Sequence, residues 1–366
     1  MGTDSGRGAA PSAGQPGRRT GALTDALLVQ ARTEDLKVIA TVAGQEGSGL
    51  VLTGPKALDG VTTALRHHHL SRPVLVDRAR YAGNDRVRGT EPFNPWWLAE
   101  QRKRHTTAVL TDSGYIGEDD LTALTAVLQQ TARHIDEHGE PRGGVWAVLP
   151  LHASWLRTGL PLLIAQINTY RVPVALVLEH KKDPLGTAVA VQGLVEVLAS
   201  PVPVALLCTD VSALGALAFG AQWTAVGVRS SLRHLYPVSD GFGQGGTVSA
   251  LLDPVLTIAA VTKIAQVCAD APDEPMWNCH CATCKGRSPT WMVGVPQKAV
   301  VAHAARHTHS VLLERREGLT DLPDGDQRRV SWRAKCSNAL WYYDALGLVD
   351  RYQWQVPGFI KSWQAV

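Results

Sequence analysis

Between about residues 49 and 230, short apolar, β-branched runs alternate with longer amphipathic stretches. The runs Gly49–Thr53, Pro73–Asp77, Ala108–Asp112, Val145–Leu149, Pro173–Glu179, Pro203–Asp210 and Trp223–Val228 predict strands. The stretches between them, among them Ala57–Arg66, Asp119–His138, Ser154–Tyr170, Ala188–Ala199 and Val211–Phe219, predict helices. Strands that are apolar along their whole length are buried on both faces, which calls for parallel pairing with a helix at each crossover. Seven such units predict an α/β fold, a (β/α)8 TIM-like barrel. A doubly wound open sheet is the rival, but no glycine-rich phosphate loop follows the first strand. The eighth strand is hard to place; Ala22–Arg32 carries enough apolar residues for a short helix or strand.

After about residue 240 the texture changes. Gly241–Gly246 is glycine-rich and reads as a surface loop more readily than as a phosphate cradle. Asp253–Val267 predicts a helix capped by Asp253, with Pro254 at its first position. Ala299–Glu317 predicts another, which sets His303 and His307 one turn apart on one face. The Trp-, Arg- and Tyr-rich tail from Arg328 reads as a small subdomain or a capping arm. The expected organisation is a disordered tail over 1–20, a barrel over 21–270, a metal-binding subdomain over 271–317 and an extension over 318–366.

Composition narrows the classes. A hydrophobic content of 45% supports a sizeable core, and a formal charge of +3 gives no global polybasic character. Residues 1–20 are small, polar and rich in Pro and Gly, without the apolar segment of a secretory signal. No run of about eighteen apolar residues is present, so no membrane span and a cytoplasmic location are expected. Basic residues gather late: Arg287, Lys298, Arg306, Arg315, Arg316 and four more between Arg328 and Lys335. They either meet phosphates or form a solvated face interleaved with acids.

The densest chemistry is Cys279-His-Cys281-Ala-Thr-Cys284, followed by His303, His307 and His309. Thiols this close in a reducing compartment point to a metal rather than to disulfides. Three sulfurs and one imidazole would complete a closed, structural zinc site, with His307 and His309 as alternatives for the imidazole. Cys208, Cys268 and Cys336 are scattered in apolar surroundings and read as buried free thiols. At the ends of predicted strands stand Asp77, Asp112, Glu179 with His180, and Asp210, carboxylates that would share one rim of a barrel. Arg229, Ser230 and Arg233 could balance that charge or bind a phosphate. In Thr111-Asp112-Ser113-Gly114-Tyr115, Gly114 would admit a flat ligand and Tyr115 could stack on it.

A strand ending in Asp112-Ser113-Gly114, with Cys-x-Cys-x-x-Cys and a histidine far downstream, resembles the tRNA-guanine transglycosylase superfamily over roughly residues 48–317. The resemblance implies a (β/α)8 barrel with a late structural zinc, and exchange of a guanine or 7-deazaguanine base in tRNA or, in relatives, DNA. It implies Cys279, Cys281, Cys284 and His309 as zinc ligands, and Asp112 with Ser113, Gly114 and Tyr115 at the base. Tyr115 and Ile116 replace a glycine and an aromatic of the family loop. The family's nucleophilic Asp belongs on the seventh predicted strand, where Ala225 stands, and a methyl group cannot attack a glycosidic carbon. Asp210 is the nearest substitute, with Glu179 and Arg229 as further substrate contacts. Two functions follow: a transglycosylase, or an inactive nucleic-acid-binding or partner subunit working as a homodimer or heterodimer.

Overall fold

The computed structural model describes residues 23–141, 143–238 and 247–366. The tail expected over 1–20 and the loop 241–246 lie outside the described residues.

Eight parallel strands form one sheet: β1 Ala26–Ala31, β2 Leu50–Thr53, β3 Val74–Asp77, β4 Val109–Leu110, β5 Val145–His152, β6 Val174–Glu179, β7 Val204–Thr209 and β8 Trp223–Gly227. Their order is β3-β2-β1-β8-β7-β6-β5-β4. The two ends of that row meet. Thr107 N–H donates to the Val74 carbonyl at 2.8 Å, and Val74 N–H to Thr107 Oγ1 at 2.9 Å. The sheet is therefore a nearly closed barrel, as the alternation of runs predicts. The strand without a place is the first one: β1 sits between β2 and β8.

Helices α1 Leu36–Ala43, α2 Ala57–Thr62, α3 Pro95–Lys103, α4 Leu121–His138, α5 Leu160–Tyr170, α6 Ala188–Leu198 and α7 Ser212–Ala218 follow the strands and wrap the outside. Each strand points alternate residues inward and outward. Leu27 and Val29 belong to the layer beneath the helices, whereas Ala26 and Leu28 belong to the barrel interior. The inner layer runs through Val51, Leu75, Leu110, Val148, Ala175 and Ala225, above a floor where Trp146 meets Trp223 edge-on at 5.2 Å. Burial on both sides explains why the strands read as unbroken apolar runs.

The remaining elements are a hairpin, β9 Ser249–Leu252 with β10 Thr257–Ala260, and helices α8 Val261–Asp270, α9 Gln297–Thr320, α10 Gly325–Ala345, α11 Leu348–Tyr352 and α12 Gly358–Gln364. The helix expected over Asp253–Val267 is corrected here. Asp253–Val255 is a short turn, Leu256 takes a left-handed conformation with φ +50°, and the chain returns as β10 before α8 starts at Val261. Asp253 caps nothing; its carboxylate holds Arg315 of α9. The tail packs back on the barrel through α12, whose Phe359 N–H donates to Asp183 at 2.9 Å and whose Trp363 is fully buried beside Phe219.

Candidate metal centre and barrel mouth

Cys279, Cys281 and Cys284 lie in a tight loop before α9. Gly286 N–H donates to the Cys279 carbonyl and Lys285 N–H to that of Cys281, which folds the three thiols inward. Against them α9 presents His307. Its Nδ1 lies 3.5 Å from the Cys279 and Cys281 sulfurs and 3.3 Å from that of Cys284. All four ligand atoms fall within 4.8 Å of one another, and Cys281, Cys284 and His307 are buried. The far side of the ring decides its tautomer: Nε2 lies 2.8 Å from the Leu251 carbonyl of β9. A carbonyl accepts only, so Nε2 carries the hydrogen and Nδ1 offers its lone pair to the thiols. This group could hold a metal ion.

His309 is not part of it, which corrects the ligand that the family resemblance implies. Two residues turn a helix by roughly 200°. His309 therefore faces away from the thiols, buried, its Nδ1 without a partner among the described residues. Burial, and then the charge of Arg233, push its pKa down to about 3. His303 stacks edge-on against Trp291 at 4.9 Å.

The strand-end carboxylates stand at the barrel's C-terminal mouth, but each is engaged. Asp112 accepts from Arg78 at 2.8 Å, Arg80 at 3.2 Å and the Asn94 amide at 3.0 Å, with its side chain wholly buried. Ser113 bonds Thr111 at 2.8 Å and is buried. A Cβ on Gly114 would stand 2.1 Å from the Arg88 carbonyl, so the close approach that requires glycine here is by the chain's own segment 87–89. Burial, and then the neighbouring Glu179 carboxylate, hold the Tyr115 hydroxyl's pKa well above its usual value, and its ring is covered by the Arg86 guanidinium at 3.7 Å. Arg86 also holds Glu179 at 2.7 Å. Arg229 is tied to Asp35 at 2.7 Å. Asp210 accepts from Ser212 N–H at the start of α7; burial raises its pKa, and its charge in turn helps raise that of Asp183, which burial mainly lifts to about 6.

A second group lies deeper in the mouth, and sequence reasoning missed most of it. Gln30 donates to Thr53 at 2.9 Å and to the Cys208 sulfur at 3.2 Å, while Tyr81 donates to Asp77 at 2.6 Å. A bulge in β7 and a left-handed Cys208, φ +51°, turn that sulfur inward. Burial raises Asp77 to about 6 and the Cys208 thiol to about 12. Asp77 was legible as a strand-end carboxylate, and the lone glutamine in Ala26-Leu-Leu-Val-Gln30-Ala31 was the sequence signal for its partners. On β8 the inward positions are Trp223, Ala225 and, level with Gln30, Gly227. A Cβ on Gly227 would stand 2.2 Å from the Leu232 carbonyl, so no side chain fits there.

Among the described residues no helix is long and apolar enough to cross a membrane. Comparison of the chain with protein-family models and with curated proteins gives no match.

Proposed function

We propose that the protein is a zinc-stabilised barrel of the tRNA-guanine transglycosylase type that binds nucleic acid, tRNA or DNA, without exchanging a base. The observation that carries this reading is the state of the mouth. Asp112 and Glu179 are neutralised by Arg78, Arg80 and Arg86 of one loop, Tyr81 of the same loop plugs the interior, and β8 supplies no inward carboxylate. A glycosidic exchange that retains configuration needs a carboxylate free to attack, and none of these is free.

Zinc is supported by geometry and donor type. Bond lengths near 2.3 Å to sulfur and 2.0 Å to nitrogen at a tetrahedral angle set sulfur and nitrogen about 3.5 Å apart. The separations of 3.3–3.5 Å between His307 and the three sulfurs match. Cys279, Cys281, Cys284 and His307 would fill the coordination shell, so the ion's part would be to lock α9 to the cysteine loop.

The late basic residues give weaker support for nucleic acid than their number suggests. Arg306, Arg316 and Arg328 bond backbone carbonyls, Arg315 pairs with Asp253, and Arg329 with Asp326. Arg287 lies over Trp291 at 4.1 Å and donates to the Cys284 carbonyl at 2.9 Å, and Arg333 lies over Phe219, which leaves Lys298 exposed.

The test is to incubate the metal-loaded protein with tRNA or duplex DNA and radiolabelled guanine, and to measure binding of the same polymers in parallel. Binding without incorporation is the expected result. Incorporation that Asp77→Asn abolishes would replace this reading with an enzymatic one, since Asp77 is the inner carboxylate without an arginine partner among the described residues.

A further inference from the structure

Beside the barrel mouth, where the turns after β1 and β8 meet the late segments, lies a cavity of about 1090 Å3. Its walls are the turn after β8, the β9–β10 hairpin, the first turns of α8 and α9, and Trp354–Gln355 near the C terminus. None of the groups discussed for base exchange faces it except Arg229 and Arg233.

Its polar side is mostly paired charge. Arg229 is met by Asp35 at 2.7 Å and by Glu34 at 3.4 Å. Arg233 bonds the Gly227 and Val228 carbonyls at 3.3 and 3.5 Å and keeps its charge beside Asp210. Lys263 is exposed and makes no ion pair among the described residues. Ser230 and Ser231 are exposed, and their hydroxyls make no hydrogen bond within the described residues. Lys263 is then the cation left over, with two spare hydroxyl donors on the same lining, the equipment for a phosphate. Val248, Ile258, Val301 and Ala304, with the indole of Trp354, give the lining an apolar wall, interrupted by Thr247, Ser249, Thr257 and Gln355. A ligand that suits both sides has a charged group on a flat, poorly hydrated body.

We propose that this cavity binds a nucleoside monophosphate unit, its phosphate on Ser230, Ser231 and Lys263 and its base against the apolar wall. The unit could be a free nucleotide or one nucleotide of a strand; the chemistry is shared and the experiment separates them. The assignment rests on the nucleic-acid reading above for its choice of ligand class, and it names a place on the molecule that reading leaves open.

The experiment uses the full, metal-loaded chain. Calorimetry measures binding of GMP, and fluorescence anisotropy measures binding of labelled single-stranded 12-mers of RNA and of DNA over a salt series. Lys263→Glu and Ser231→Glu change exposed residues, and Lys56→Glu, exposed after β2 and outside the cavity lining, serves as control; circular dichroism checks that all three fold. The expected result is a loss of about tenfold or more in affinity for Lys263→Glu and Ser231→Glu, a salt slope reduced by about one for Lys263→Glu, and no change for Lys56→Glu. Strands that bind equally well to wild type and to both cavity variants would overturn the cavity and leave the nucleic-acid reading standing. GMP binding that the cavity variants lose, with no strand binding at all, would keep the cavity and overturn that reading. Binding of neither would overturn both.

Discussion

His307 and Asp112 owe their behaviour to partners that lie far away in sequence. His307 is oriented by a carbonyl of β9 as much as by the thiols, whereas His309 Nδ1 has no polar contact among the described residues. We expect His307→Ala to lose its bound metal on dialysis and His309→Leu to retain one equivalent, both read by elemental analysis. Asp112 is a buried anion between two partly exposed guanidiniums. Asp112→Asn should lower unfolding free energy by about 3 kcal/mol in a urea titration, because the arginines would be left without their counter-charge. Asp77 behaves in the opposite sense. Its pKa is raised from 3.8 to about 6, so the folded protein holds that proton more tightly than the unfolded chain. Its contribution is most favourable below pH 4 and is lost as pH climbs to 6. Asp77→Asn should therefore gain stability over wild type above pH 6, by on the order of 2 kcal/mol, with the difference vanishing towards pH 4. Equal slopes in the two proteins across that window would contradict the burial of Asp77 in its charged form.

At the scale of elements, strands and crossovers were legible because burial on both faces writes a continuous apolar run. Their inward and outward halves were not, since both are apolar; only Gln30, Thr53 and Asp77 betray the inner side. Asp253-Pro254 has the letters of a helix start, yet the left-handed Leu256 and the pairing of β10 with β9 override it. Similarly, the arginines after Asp77 carry no periodicity, so nothing in the pattern foretold that this loop would fold over the mouth. The hairpin is joined to the metal group twice. The Leu251 carbonyl bonds His307, and Leu251 N–H donates to Thr308 Oγ1 at 3.0 Å. Chelation should therefore speed amide exchange first in Ser249–Ala260 and in the middle of α9, while β5 and β6 keep their protection. Uniform deprotection by mass spectrometry would argue against a local linkage.

For the molecule as a whole, the layer outside the barrel and the core around the metal group are one apolar body. The cluster that contains Val29 and Leu149 also contains Cys281, Leu312 and Trp363. The late segments are not an appendage that could be trimmed. Trp363 of α12 lies against Trp332 of α10, and a Cβ on Gly215 of α7 would strike both indoles at 2.6 Å. Trp363→Ala should cost about 3–5 kcal/mol and shift the whole thermal transition, without splitting off a separate one. The sequence pattern suggested separable parts because composition changes at 240. Composition records what a segment is made of, whereas packing depends on what it lies against.

The hairpin that grips His307 is also a wall of the 1090 Å3 cavity, through Ser249 and Thr257–Ala260. A single imidazole thus has one nitrogen among the sulfurs and the other on the frame of a chamber outside the thiol group. Starving the protein of its ion would slacken that frame, and whatever the chamber holds would be released. Metal supply would then govern occupancy at a distance, with the ring as the lever between them.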